Sequence, residues 1–122
     1  MVQYAQMSEF TTVAKVSDFE SGSMQQFEVE GGGSVIVARA DDSFYAFDAR
    51  CPHSYQPLMD GRIKGHTITC AYHSINFNME TGKVNFGSSA PLMLYDVRVE
   101  GDEVQLGAKR PWSPAAFVSR WS

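Results

Sequence analysis

Two short segments, Cys51-Pro52-His53 and Cys70-Ala71-Tyr72-His73, contain both cysteines and two of the three histidines of this chain. Sixteen residues separate them, enough for two loops that return to one point. Thiolates and imidazoles are soft or borderline donors. A set of two each suits zinc or an iron–sulfur cluster and does not suit magnesium or calcium. Any fold of this chain must therefore carry two neighbouring loops on a rigid support. Spacing alone leaves the metal open, because a closed Cys2His2 zinc site uses the same four residues. His66, in the polar turn Lys64-Gly65-His66, reads as an ordinary surface residue.

The support is expected to be made of strands. Phe10 to Val16, Met24 to Glu30, Ser34 to Ala40 and Ser43 to Asp48 each read as one, separated by Gly, Asp and Ser clusters. Gly31-Gly32-Gly33 permits a tight reversal, Asp41-Asp42 makes another, and Thr81-Gly82 a third. Thr67 to Cys70 and Ile75 to Asn78 flank the second donor segment, and Leu94 to Glu100 with Glu103 to Leu106 form a closing hairpin at Gly101-Asp102. No long segment has a helical period and no repeat is visible. Many short antiparallel strands favour a small sandwich or barrel. With 122 residues, 43% of them hydrophobic, one domain can bury a core.

Charge and composition exclude several roles. All fourteen carboxylates lie before residue 109, against seven Lys and Arg, whereas Lys109, Arg110 and Arg120 leave residues 109–122 purely basic. An acidic body disfavours nucleic acid. No apolar stretch has membrane-spanning length, no signal peptide is visible, and two cysteines are too few for a disulfide framework, so a cytoplasmic protein is expected.

From about Ser17 to Leu106 the chain resembles the Rieske ferredoxins of bacterial ring-hydroxylating dioxygenases and related oxygenase systems. Beyond the four donors, the resemblance includes Ala46-Phe47, Pro57-Leu58, Asp60-Gly61, Phe77, Thr81-Gly82, Pro91 and the Val97 to Val104 hairpin. It implies an all-β Rieske fold, an antiparallel β sandwich or barrel with a small inserted cluster-binding subdomain at about residues 48–86. The single domain would span 1–108, followed by a basic aromatic tail, 109–122. By the same resemblance Cys51 and Cys70 bind one iron of a 2Fe-2S cluster, His53 and His73 bind the other, and each chain carries one cluster.

Neutral imidazoles in place of two thiolates leave the reduced cluster less negative, which is one reason such centres lie at roughly -150 to +300 mV against about -400 mV for plant-type ferredoxins. Respiratory members of the family add a cysteine to each loop, and place a serine and a tyrosine where this chain has Ile75 and Phe77. Their hydroxyls donate to sulfur; without them a midpoint near the lower end of the range is expected. Ser74 stands where the family usually has glycine, and Ala71 where proline is frequent.

The resemblance implies an electron carrier, not an enzyme acting alone. An oxygenase also needs a mononuclear iron held by two histidines and a carboxylate, and only His66 remains. Gly31-Gly32-Gly33 lacks the setting of a dinucleotide fingerprint. The implied partners are a flavin-containing, NAD(P)H-dependent ferredoxin reductase and a terminal Rieske non-haem iron oxygenase, with neither nucleic acid nor membrane involved. Pro52, Gln56, Pro57, Tyr72 and Pro91 are candidates for the contact rim, or for stiffening the loops. Two other readings are a non-catalytic subunit resembling the small subunit of nitrite reductase, whose ligands are often lost, and a zinc-stabilised binding module.

Overall fold

The run Ser34 to Ala40 is apolar at consecutive positions rather than at alternate ones, which a strand tolerates only when both its faces are covered. The computed structural model, which describes residues 10–29, 33–72, 75–86 and 89–110, places it in that setting. Val35, Ile36, Val37 and Ala38 are wholly buried. They lie in strand β3 (Gly33–Ala40), between β2 (Met24–Val29) and β4 (Ser43–Asp48) in a six-stranded sheet of order β1-β10-β9-β4-β3-β2. The other members are β1 (Thr11–Lys15), β9 (Leu94–Glu100) and β10 (Glu103–Lys109), and every neighbouring pair is antiparallel.

A second, four-stranded sheet, β5 (Arg62–Lys64), β6 (Thr67–Thr69), β7 (Asn76–Asn78) and β8 (Val84–Phe86), lies between β4 and β9 in the chain. Since β4 and β9 are themselves paired, through Ala46 with Tyr95 and Phe47 with Leu94, the small sheet is an insertion into the larger one. Two three-residue 3-10 turns, Val16–Asp18 and Leu58–Asp60, complete the elements.

Each face of the central strands serves a different core. Val35, Val37, Ala46, Val104 and Leu106 gather with Phe19 on one side of the large sheet. On the other, Ile36, Ala38, Tyr45 and Phe47 meet Leu58, Ile68, Ile75, Phe77 and Met79 of the insertion, and both cysteines lie in this second core. The six-stranded sheet is thus the support, and the insertion is packed by apolar contact onto its β3, β4 and β9 strands.

The turns at Asp41-Asp42, Thr81-Gly82 and Gly101-Asp102 form as expected, with Asp41, Gly82 and Gly101 in the left-handed region. Val29 pairs with Gly33, and the expected reversal between them falls on 30–32, outside the described residues. Sequence reading did not give β5 or β8. The last strand also runs further than expected, to Lys109, and Arg110 donates its backbone N–H to Leu94 and pairs with Asp96. Lys109, the first residue of the expected tail, therefore belongs to the sheet and Arg110 is tied to it, while 111–122 lie outside the described residues.

Candidate metal centre

The first donor loop leaves β4 and closes on itself before β5. Arg50 bridges to Pro57, the Cys51 N–H donates to the Gln56 carbonyl at 2.9 Å, and the Leu58 N–H to that of Ala49 at 2.9 Å. The reversal is made by Tyr55, whose φ of 61° is unusual for a residue with a side chain. Its N–H donates to the Cys51 carbonyl at 2.6 Å and its carbonyl accepts from Arg50 Nη1 at 2.9 Å. Leu58, wholly buried, anchors the far end of the loop in the core.

The second loop is the end of the β6–β7 hairpin. Thr69 pairs with Asn76, the Asn76 side chain donates to the Thr69 hydroxyl at 3.0 Å, and the Cys70 N–H donates to the Ile75 carbonyl at 2.9 Å. Ile68 and Phe77, opposite each other in that hairpin, are fully buried. Cys70 thereby sits at a fixed position on a short, packed ribbon. His73 and Ser74 fall outside the described residues.

Cys51 and Cys70 are both free thiols with no exposed surface, while His53 is exposed. Sulfur donors face the core and an imidazole faces outward. That polarity suits a centre whose sulfur is shielded and whose nitrogen side meets solvent or a partner. Among the described residues no three His, Cys, Asp or Glu side chains gather as a metal site; the set as read from sequence includes His73.

The two loops touch. The Tyr72 hydroxyl donates to Asp60 Oδ2, and this bond, ahead of desolvation and the Asp60 and Cys70 charges, pushes the Tyr72 phenol above its usual range. One residue further, Gly61 lies so close to Thr69 that a Cβ there would stand 2.1 Å from the Thr69 carbonyl oxygen. Ile75 and Phe77 are buried and bring no hydroxyl to the core around the cysteines.

Of the expected rim, Gln56, Pro57 and Tyr72 are exposed, whereas Pro52 and Pro91 are half-buried. Sequence reading passed over Tyr55, the most exposed of the large hydrophobic side chains described, at 71%. Its left-handed backbone leaves no mark in the sequence, because turns of this kind usually announce themselves by Gly or Asn. His66 is exposed as expected, yet it is not a bystander. Its Nδ1 is hydrogen-bonded to the Tyr45 hydroxyl, the two rings meet edge to face, and its carbonyl accepts the Met79 N–H at 2.7 Å. The turn between β5 and β6 is thus tied to β4. Elsewhere, burial and then Asp48 push the Tyr95 phenol upward.

A two-sheet β domain with a pair of buried thiols and an outward imidazole, on loops of an inserted sheet, defines a class of small metal-centre proteins. The chain belongs to the Rieske [2Fe-2S] domain family, whose model matches residues 9–93. It is 30% identical over 95 residues to the ferredoxin component of biphenyl 2,3-dioxygenase from Rhodococcus jostii (strain RHA1), covering 77% of this chain and 88% of that one. It is also 31% identical over 100 residues to apoptosis-inducing factor 3 of Mus musculus, but those residues, 81% of this chain, span only 16% of that longer protein. Among solved structures, the complex of reduced oxygenase and oxidised ferredoxin in carbazole 1,9a-dioxygenase contains a chain that superposes with a TM-score of 0.80 at 28% identity, covering 88% of this chain and 99% of that one.

The group of this family is a two-iron, two-sulfide cluster, and the residues present fit it. Unoxidised, buried thiols at the ends of two abutting loops are the donors such a group requires, and the core around them excludes water from sulfur.

Proposed function

We propose that this protein is a one-electron carrier, a Rieske ferredoxin that takes electrons from an NAD(P)H-dependent flavoprotein reductase and passes them to a terminal aromatic-ring oxygenase. Cys51 and Cys70 would hold one iron of the cluster, and His53 and His73 the other. When bound, the cluster supplies a single reversible electron-accepting site. The observation that carries the reading is the disposition of donors, two fully buried thiols and an exposed His53 on loops that touch through Tyr72 and Asp60.

The chain's own residues supply the rest. The apolar packing of Leu58, Ile68 and Phe77 keeps both loops rigid, so little reorganisation accompanies the change of charge. Exposed Tyr55, Gln56, Pro57 and Tyr72 give a small contact area, the kind used in brief electron-transfer encounters. The solved oxygenase–ferredoxin complex supports the oxygenase as acceptor, and the retention of all four donors supports a carrier over a ligand-free structural subunit. His66 is the one histidine outside the donor set, too few for the two-histidine, one-carboxylate site of a mononuclear iron, which supports a carrier that does not catalyse alone. No described helix is long and apolar enough to cross a membrane, and the proposed setting is the cytoplasm. The carrier unit proposed is one domain over residues 1–108, with the centre in about 48–86 and the basic aromatic segment 109–122 following it.

The test is the absorption spectrum and the dithionite-reduced electron paramagnetic resonance spectrum of the purified protein, with iron, sulfide and zinc analysis. A brown protein with iron and sulfide in equal amounts and a rhombic reduced signal is expected. One zinc per colourless chain would refute the carrier reading in favour of a binding module. Replacing His53 or His73 by Ala is expected to abolish the signal; a surviving cluster would refute the ligand assignment.

A further inference from the structure

Among the described residues the two donor loops approach each other at two places, and one of these contacts is polar. The Tyr72 hydroxyl donates to Asp60 Oδ2 across twelve residues of chain. Tyr72 stands immediately before His73 and two residues after Cys70, whereas Asp60 closes the 3-10 turn that begins at Leu58. Next to it, the Gly61 backbone is pressed against the Thr69 carbonyl, directly before Cys70. Both contacts therefore fall where a change in loop separation would be felt by the donors.

Asp60 is exposed, and among the described ion pairs none includes it; its described polar partner is the tyrosine. Among the described residues, then, its charge meets one neutral donor. A fixed negative charge beside a site that accepts an electron disfavours the reduced state, and near the surface that influence is screened by salt.

We infer that Asp60 and Tyr72 are positioning residues for the centre: their hydrogen bond latches the second loop to the first, and the Asp60 carboxylate holds the bound cluster toward a lower midpoint. This rests on the ligand assignment proposed above. The two effects separate by substitution. In Asp60→Asn an oxygen remains to accept the phenol proton, so the latch survives without the charge. In Tyr72→Phe the ring and the charge remain and only the latch is lost.

The experiment uses the cluster-loaded protein and two readouts, the voltammetric midpoint at low and at high salt, and the rate of cluster bleaching by a chelator. Asp60→Asn is expected to raise the midpoint, by an amount that shrinks at high salt, with bleaching at the wild-type rate. Tyr72→Phe is expected to bleach about threefold faster or more, as loss of one exposed hydrogen bond implies, without a rise in midpoint. In the metal-free protein, Tyr72→Phe should speed amide hydrogen exchange in both loops, which keeps the latch testable even if loading is poor. An unchanged midpoint in Asp60→Asn overturns the electrostatic role, and wild-type bleaching and exchange in Tyr72→Phe overturn the latch. Wild-type protein lacking iron and sulfide would instead defeat the ligand assignment, before either variant is compared.

Discussion

Replacing Gly61 by Ala should damage the centre more than it damages the fold. The backbone there, with φ of -85° and ψ of -163°, is open to alanine, so any effect must come from contact and not from dihedral strain. An added Cβ would lie 2.1 Å from the Thr69 carbonyl oxygen, 0.9 Å inside the 3.0 Å that real Cβ atoms keep from their neighbours. The obstacle is backbone on both sides, with no flexible side chain to yield. One loop must move by about that distance, and the residue after Thr69 is Cys70. Ligand positions at a metal centre tolerate errors of only about 0.2 Å. Overpacking of this kind costs roughly 1–3 kcal/mol, which corresponds to a fall in Tm of about 4–12 °C for a domain of this size. Gly65→Ala is the control. It meets nothing within 4 Å but sits at φ of +58°, so it should lose about 1–2 kcal/mol to backbone strain and keep its cluster. Iron and sulfide per chain, the visible chromophore and thermal unfolding are measured on both. We expect Gly61→Ala to be depleted in iron and sulfide and Gly65→Ala to be fully loaded at comparable stability. A fully loaded Gly61→Ala with an unchanged Tm would refute the claim that the loops abut here.

Three further outcomes are expected. The midpoint of the wild-type centre should lie below zero, toward the -150 mV end of the Rieske range of roughly -150 to +300 mV, because Ile75 and Phe77 bring no hydroxyl to the buried sulfur side; a midpoint far above zero in protein-film voltammetry contradicts this. Tyr55→Gly should stabilise the protein by about 0.5–1 kcal/mol in denaturant unfolding by relieving the left-handed strain, and a loss of more than about 1 kcal/mol would show that the exposed ring packs after all. The phenol of Tyr95, pushed upward by burial and Asp48, holds its proton longer in the folded state than in the unfolded one. Its contribution is therefore complete below the unfolded value of about 10 and is lost as pH rises through the higher folded value. Stability should fall more steeply above about pH 10 in the wild type than in Tyr95→Phe; equal slopes would dismiss it.

Residue type made the donors legible, since two cysteines and two histidines in paired segments are rare and chemically directed. Long apolar runs made β3 and β4 legible for a similar reason, because their burial is written into consecutive side chains. Strands β5 and β8 were not. Arg62-Ile63-Lys64 offers one apolar residue between two cations, and becomes a strand because β6 lies beside it. Val84-Asn85-Phe86 is equally short, and its pairing with β7 is irregular. Propensity carries little information over three residues when the partner strand decides the outcome. The contacts that join the loops were invisible on the same ground. Nothing near Asp60 names Tyr72, and nothing near Tyr45 names His66, since these pairs form only when separate elements are folded together. The missed Tyr55 reflects a residue held against its own preference by Arg50 and Cys51.

The pairing of β4 with β9 around the whole small sheet also sets how the molecule assembles. Phe47 and Leu94 can meet only after the chain between them has been looped out, and Thr11 and Leu106, paired at the far edge, must find each other across almost the full length of the chain. Pairings so distant in sequence make for slow folding. The entropy of closing a loop grows only with the logarithm of its length, so doubling the excursion costs about 0.6 kcal/mol. The six-stranded frame is for that reason nearly indifferent to how much chain leaves at β4 and returns at β9. Length can be added to or taken from the excursion, and with it the shape presented to a partner, while the frame with its long-range pairings stays the same.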